Sequence, residues 1–272
     1  PERGIGVSFN SGAESTIEAV TSMIELSRVA KACEYMNLRN RWKYAYQVVE
    51  AESFEKPVSG SPRKIWTQWT GKNTPSGEFY VAVGAGDSFK LEFTIPQDDA
   101  YIPYAVFERQ PTAPGQVGIT FSIDGREPIV VEMGGSLGTK HFVMEKLAPV
   151  IELEAGLHSV AAEFSGAGKA QTAALDALVF QPLIEYRHMT GANFQNVIIA
   201  RSFADKVSNK IINVDVRPSA PGPEIVFNVR RYNRAGDLVS TEDVICPVPQ
   251  GSETVHLDLP VEAFGYTLVE WR

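Results

Sequence analysis

Two indoles three residues apart, Trp66 and Trp69, bracket Thr67-Gln68 and lead into Thr70-Gly71-Lys72-Asn73. In a polar stretch rich in Gly, Ser and Pro, this spacing suits a stacking platform. The flat C–H face of a pyranose packs on an indole through apolar burial and dispersion. Tyr80, on the strand that follows, is placed to add a ring. The competing reading is that one indole plugs a core or an interface. Other chemistry is thin. The histidines, His141, His158, His188 and His256, show no metal-ligand spacing. There is no Gly-x-Ser-x-Gly elbow, no phosphate loop and no His-Glu-x-x-His motif. Adjacent acids such as Asp98-Asp99 and Glu242-Asp243 read as solvated turn residues. Glycoside hydrolysis needs two carboxylates about 5–9.5 Å apart with separated pKa values, and no pair here is nominated for that.

These residues need a scaffold, and the chain writes one in alternating segments. Phe89-Lys90-Leu91-Glu92-Phe93-Thr94-Ile95 puts its apolar side chains on one face and Lys90, Glu92 and Thr94 on the other. Ile119 to Ile123 alternates and then meets Asp124-Gly125, a hairpin signal because glycine tolerates positive φ. Ile151-Glu152-Leu153-Glu154 repeats the pattern before Ala155-Gly156. Short alternating strands between Gly, Pro and Asp turns predict a mainly β chain built of sandwiches. The first sandwich is expected to run from Tyr46-Gln47-Val48-Val49-Glu50-Ala51-Glu52 to Ala174-Leu175-Asp176-Ala177-Leu178-Val179-Phe180.

Several of these residues resemble carbohydrate-binding modules of families 6 and 35. Glu50-Ala51-Glu52 is similar to their opening "AE" signature, and Gly86-Asp87-Ser88-Phe89 to their "GD…F" segment. Asp99-Ala100-Tyr101 stands where they carry "G-Y". Asp124-Gly125 matches their central hairpin. Leu153-x-x-Gly156-x-His158-x-Val160 resembles "L..G.H.I", and Leu175-Asp176-Ala177-Leu178 the closing "LD.I". The resemblance covers about half the chain and implies a galactose-binding-like jelly roll that grips sugars without cleaving them. It also implies that Glu50, Glu52 and Asp176, on strands the family places side by side, hold a structural Ca²⁺, for which oxygen ligands at about 2.3–2.6 Å are suited. The alternative is a set of exposed carboxylates flanking a strand. Loop aromatics at the rim would carry the ligand. Where relatives have a polar group before "LD", this chain has Thr172-Ala173-Ala174, with Gln171 as the nearest amide. His158 is expected at or near the core.

Three regions follow. Residues 1–44 are expected to form one long N-terminal helix, from about Ala13 to Leu38, and a polar linker from Asn37 to Tyr44. Ser11-Gly12-Ala13-Glu14 is a capping box. Apolar stripes at Ile17, Val20 and Ile24 and at Met23, Leu26, Ala30 and Cys33 call for packing on more than one side. The segment from Asn10 to Ala19 more loosely resembles the final helix of an (α/α) toroid carbohydrate-active enzyme, which would place a catalytic domain upstream. Glu14 and Glu18 are the acids whose setting points that way. The rival reading is a helix that simply docks on β-structure. Residues 45–182 are the jelly roll. Residues 183–272 are a small immunoglobulin-like C-terminal β-sandwich with strands at Asn196–Ala200, Lys210–Val216, Glu224–Val229, Glu253–Leu259 and Tyr266–Trp271. In this last region Arg and Lys crowd before Arg234 and acids after it, from cross-strand pairing or an anion-binding patch.

The net charge of −8 on 272 residues disfavours nucleic acid as a general partner, and no apolar run reaches the roughly 18 residues of a membrane span. Its beginning at Pro1 rather than Met is expected of a processed product or a fragment. Cys33 and Cys246 are expected to be free and buried. Two functions stand. One is a non-catalytic carbohydrate-binding portion of a larger carbohydrate-active protein, extracellular or at the cell surface, whose partner is a polysaccharide or oligosaccharide. The other is a structural region packing on a catalytic domain or partner chain, the C-terminal part of a glycoside hydrolase or polysaccharide lyase, with no sugar bound. Exposure of Trp66 and Trp69 separates them.

Overall fold

The computed structural model describes residues 38–66, 79–109, 116–134, 141–166, 172–191, 196–216, 224–248 and 254–271. The expected helix up to Asn37, Cys33, Trp69 and Gln171 lie outside the described residues. Within them the chain is mainly β, with one short 3-10 helix at Ala51–Ser53. No helix there is long and apolar enough to cross a membrane. The described chain divides into two compact units: Tyr46–Gln181, and Pro182 onward together with the residues up to Ala45.

Strand β1 (Arg39–Tyr44) belongs to the second unit. The first holds β2 (Gln47–Glu50), β3 (Pro57–Ser59), β4 (Arg63–Trp66), β5 (Phe79–Gly84), β6 (Ser88–Ile95), β7 (Asp99–Arg109), β8 (Val117–Ile123), β9 (Ile129–Glu132), β10 (His141–Lys146), β11 (Ile151–Leu153), β12 (Gly156–Gly166) and β13 (Thr172–Pro182). One sheet runs β10-β7-β13-β5-β4, with β2 added to β13 and β11 to β7; the other runs β3-β6-β12-β8-β9. The alternation foreseen for β6 is realised: Phe89, Leu91, Phe93 and Ile95 are buried, and Lys90, Glu92 and Thr94 are exposed. Phe93 of the second sheet stacks on Phe180 of the first at 4.4 Å with 14° between the rings. Apolar faces from both sheets thus share one core, and each fully buried Phe adds about 1.5–3 kcal/mol.

The turns of this unit are held by aspartates that accept main-chain hydrogens. Asp87 Oδ2 accepts from Gly84 N and Oδ1 from Ser61 N, both at 2.7 Å. A Cβ at Gly60 would sit 1.9 Å from Asp87 Oδ1, so only glycine fits there. Asp98 Oδ1 accepts from Ala155 N at 2.6 Å. Asp124 and Gly125 take φ of 49° and 69°, and Arg126 N donates to Ile123 O at 2.9 Å. These are the marks of a type I′ hairpin turn, joining β8 to β9.

His158 ties that hairpin to the next strand. Its Nδ1 lies 2.7 Å from Asp124 Oδ2 and its Nε2 2.7 Å from Glu154 O. A carboxylate and a carbonyl can only accept, so this pair of contacts favours the ring that carries hydrogen on both nitrogens, the imidazolium. Desolvation opposes the charge, but the hydrogen bonds to Asp124 and Glu154 outweigh it and hold the His158 pKa above its ordinary 6.5.

The second unit adds β14 (Ile184–Thr190), β15 (Asn196–Ser202), β16 (Ser208–Asp215), β17 (Glu224–Tyr232), β18 (Leu238–Pro247), β19 (Thr254–Val261) and β20 (Tyr266–Trp271). One sheet runs β1-β14-β15-β20-β17-β18, and β16 pairs with β19. Here the expected linker is corrected, since Arg39–Tyr44 is a strand antiparallel to β14. Its Trp42 and Tyr44 alternate with Arg41 and Lys43, a period of two that suits an edge strand. Trp42 meets Tyr186 at 5.0 Å and His188 at 5.7 Å, and Arg41 pairs with Asp215 at 2.6 Å. Charges elsewhere are paired across strands, Arg230 with Glu270 and Arg231 with Glu262. Cys246 is a buried free thiol, as expected.

His188 is fully buried between Trp42 and Trp271, with Asn196 Oδ1 at 3.3 Å from its Nε2 and no partner for Nδ1. Burial pushes its pKa below 6.5. The two histidines therefore respond oppositely to acid. The His158 contribution is complete below 6.5 and is lost as pH rises through its raised folded pKa. The His188 contribution is present above 6.5 and is lost as pH falls, because the unfolded ring takes a proton before the folded one. In an NMR pH titration of the imidazole hydrogens, His158 will show its midpoint above 6.5 and His188 below it. Midpoints on the same side of 6.5 would contradict this assignment.

Candidate functional site

Trp66 ends β4 opposite Phe79 and is 56% exposed. Its indole lies at the end of β4, an edge strand of the sheet. Tyr80 stands opposite Ile65. Cross-strand partners share a face and successive residues alternate, so Tyr80 lies on the other side of the sheet from Trp66. The two rings do not form one platform. Tyr80 instead meets Phe142 edge-on at 6.0 Å. Phe142 is opposite Glu108, on the β7 face away from the buried Ala105 and Phe107. The exposed Met144 shares that face. Phe142 was not nominated from the sequence, although its alternation with His141 and Val143 carried the signal.

In the β2–β13 ladder Glu50 is the partner of Ala177, the residue after Asp176. After Glu50 the strand gives way to the 3-10 helix that carries Glu52. Glu52 Oε2 is buried with no hydrogen-bond donor. Burial pushes the Glu52 carboxyl above its ordinary 4.5 and the Glu50 charge adds to the push, against a main-chain hydrogen bond and Lys64. Asp176 is buried at 1% exposure. Among the described residues no group of three or more His, Cys, Asp or Glu side chains is arranged to hold a metal ion. The orphaned Glu52 oxygen beside a second carboxylate does fit a hard cation, with main-chain carbonyls supplying further ligands. An open groove lined by Gln47, Glu50, Ser53, Glu92 and Thr94 gives Glu50 access to solvent.

Three of the adjacent acids, Asp98, Asp99 and Asp243, have structural work. Asp98 caps Ala155, Asp99 Oδ1 accepts from Ala100 N at 2.9 Å, and Asp243 accepts from Asn228 Nδ2 at 3.0 Å. Ala173 and Ala174 are each 3% exposed, so the residues just before Leu175 are buried and offer no polar side chain.

No family model matches the chain, and no curated protein matches it. Solved structures similar to it include a GH26–CBM35 β-(1,4)-mannanase from Podospora anserina, at 12% identity over 51% of this chain and 28% of that one, TM-score 0.38. The C-terminal CBM6 of LamC, a marine laminarinase from Zobellia galactanivorans, is similar at 11% identity over 50% of this chain and 98% of that one, TM-score 0.38. The module CBM6cm-2 of Cellvibrio mixtus lichenase 5A, in complex with cellotriose, is similar at 18% identity over 51% and 98%, TM-score 0.34. The chain spans less than a third of the mannanase's length.

The raised Glu52 carboxyl has a measurable consequence. Without divalent cations, the folded first unit binds this proton at higher pH than the unfolded chain, whose carboxyl sits near 4.5. Stability therefore rises as pH falls through the folded pKa toward 4.5. In thermal melts with a chelator present, Glu52→Gln removes this part of the pH dependence; an unchanged slope would place the effect elsewhere.

Proposed function

We propose that the first unit is a non-catalytic carbohydrate-binding module, a galactose-binding-like jelly roll belonging to a larger carbohydrate-active protein. The observation that carries this reading is the exposed indole of Trp66 at the end of the sheet, the feature that separates a binding platform from an interface plug. The order of the family-like segments along the chain supports it. Trp69 and Gln171, outside the described residues, are the further ligand contacts this reading expects, and Tyr80 with Phe142 forms a second aromatic surface on the outer face. Binding would hold a glycan near an enzyme and raise its effective concentration. The setting would be extracellular or the cell surface. The second unit is read as an immunoglobulin-like sandwich.

Ca²⁺ held by Glu50, Glu52 and Asp176 with main-chain oxygens belongs to the same proposal. It would tether β2 to β13 and neutralise the Glu50–Glu52 pair. A second reading, favoured by the buried Ala173-Ala174 in place of a polar group, is a structural region that packs on an upstream (α/α) catalytic domain or partner chain and binds no sugar.

Two measurements test this. Fluorescence titration with soluble oligosaccharides, beginning with β-glucans and β-mannans, will show a saturable change. Trp66→Ala will weaken binding about tenfold or more, equivalent to about 1.4 kcal/mol. No response from folded protein across the panel would favour the structural reading. Separately, Ca²⁺ at about 100 times its Kd will raise stability by about 2.7 kcal/mol, and Glu52→Gln will abolish that gain. A melting temperature indifferent to Ca²⁺ would remove the metal from the proposal.

A further inference from the structure

The end of the six-strand sheet in the second unit carries an aromatic and cationic cluster with no role in the core. Arg201 of β15 is the partner of Tyr266 of β20, and Tyr266 is the partner of Tyr232 of β17. Cross-strand partners share a face, so the three form a row across the sheet. The tyrosine rings stack at 4.6 Å with 11° between their planes.

Beside this row the turn from β19 to β20 raises Phe264 at φ 51°. For a bulky side chain this left-handed conformation is a real outlier. The turn is firmly pinned: Phe264 N donates to Ala204 O at 3.0 Å, Gly265 N to Glu262 O at 2.9 Å, and Ser202 N to Gly265 O at 2.9 Å. A Cβ on Gly265 would lie 2.2 Å from Tyr232 O, so the turn is pressed against β17. Yet Phe264 remains 46% exposed. A rigidly held ring in strained backbone, left in water, gains little from burial.

Two guanidiniums complete the cluster. Arg234 lies over Phe264 at 5.6 Å and Arg201 over Phe203 at 4.9 Å. Arg230 and Arg231 are neutralised by Glu270 and Glu262, whereas Arg201 and Arg234 have no ion pair among the described residues. Their planar donor forks match a carboxylate.

We propose that this end of the second unit is a binding site for an acidic oligosaccharide, a uronate whose ring face packs on Phe264 beside the tyrosine row and whose carboxylate meets Arg234 and Arg201. The site does not depend on Trp66 or on the reading of the first unit.

The test is calorimetric titration of the whole chain with an oligogalacturonate, its methyl ester and a single-stranded oligonucleotide. The acid will bind, and the ester will bind at least tenfold more weakly. Arg234→Gln will cost at least tenfold. Phe264→Gly will abolish binding while the melting temperature holds or rises, because glycine takes this φ without strain. No uronate binding, equal binding of the ester, tighter binding of the oligonucleotide, or full affinity in Phe264→Gly would each overturn the proposal.

Discussion

The first unit depends on one closure. Gln47–Glu50 must find Ala177–Phe180 across nearly the whole domain before its larger sheet has both strands of that ladder. Bringing such distant segments together costs loop entropy that grows slowly with length, and burial must offset it. Phe93 stacked on Phe180 provides burial at that seam, tying the closing strand to the opposite sheet. Glu50 sits on the same ladder. A cation there would therefore act on the contact with the greatest sequence separation.

Around this closure, the turns are built by one device used repeatedly. Asp87, Asp98 and Asp124 each hand a carboxylate oxygen to main-chain hydrogens of a neighbouring segment. Carboxylates committed in this way are poor candidates for proton transfer, because their lone pairs are already occupied.

Much of this was legible in the sequence. The period of two in Phe89–Ile95 and Ile119–Ile123 gave strand, face and burial together, and Asp124-Gly125 gave the hairpin, because local sterics decide these features. Register is another matter. Trp66 and Tyr80 look like one aromatic set along the chain, yet a single step of pairing puts them on opposite faces. Phe142 joins Tyr80 only through the order of strands in the sheet. Arg39–Tyr44 reads as a polar connector because its basic residues hide the alternation of Trp42 and Tyr44; the aromatic partners that make it a strand, Tyr186 and His188, lie far along the sequence. The strain at Phe264 had no sequence signal beyond a bulky residue before a glycine.

The pairing of β1 with β14 makes the first unit an insertion. The chain leaves one sheet after Tyr44, builds a complete sandwich, and returns to the same sheet at Ile184. During synthesis the inserted unit has all its strands once Pro182 has emerged, while β1 waits beside it for a partner not yet made. Synthesis thus lets the inner module fold before the outer one has all its strands. Because β2 and β13 are neighbours, the module also enters and leaves through one place. Evolution could exchange such a cassette for another without re-threading its host.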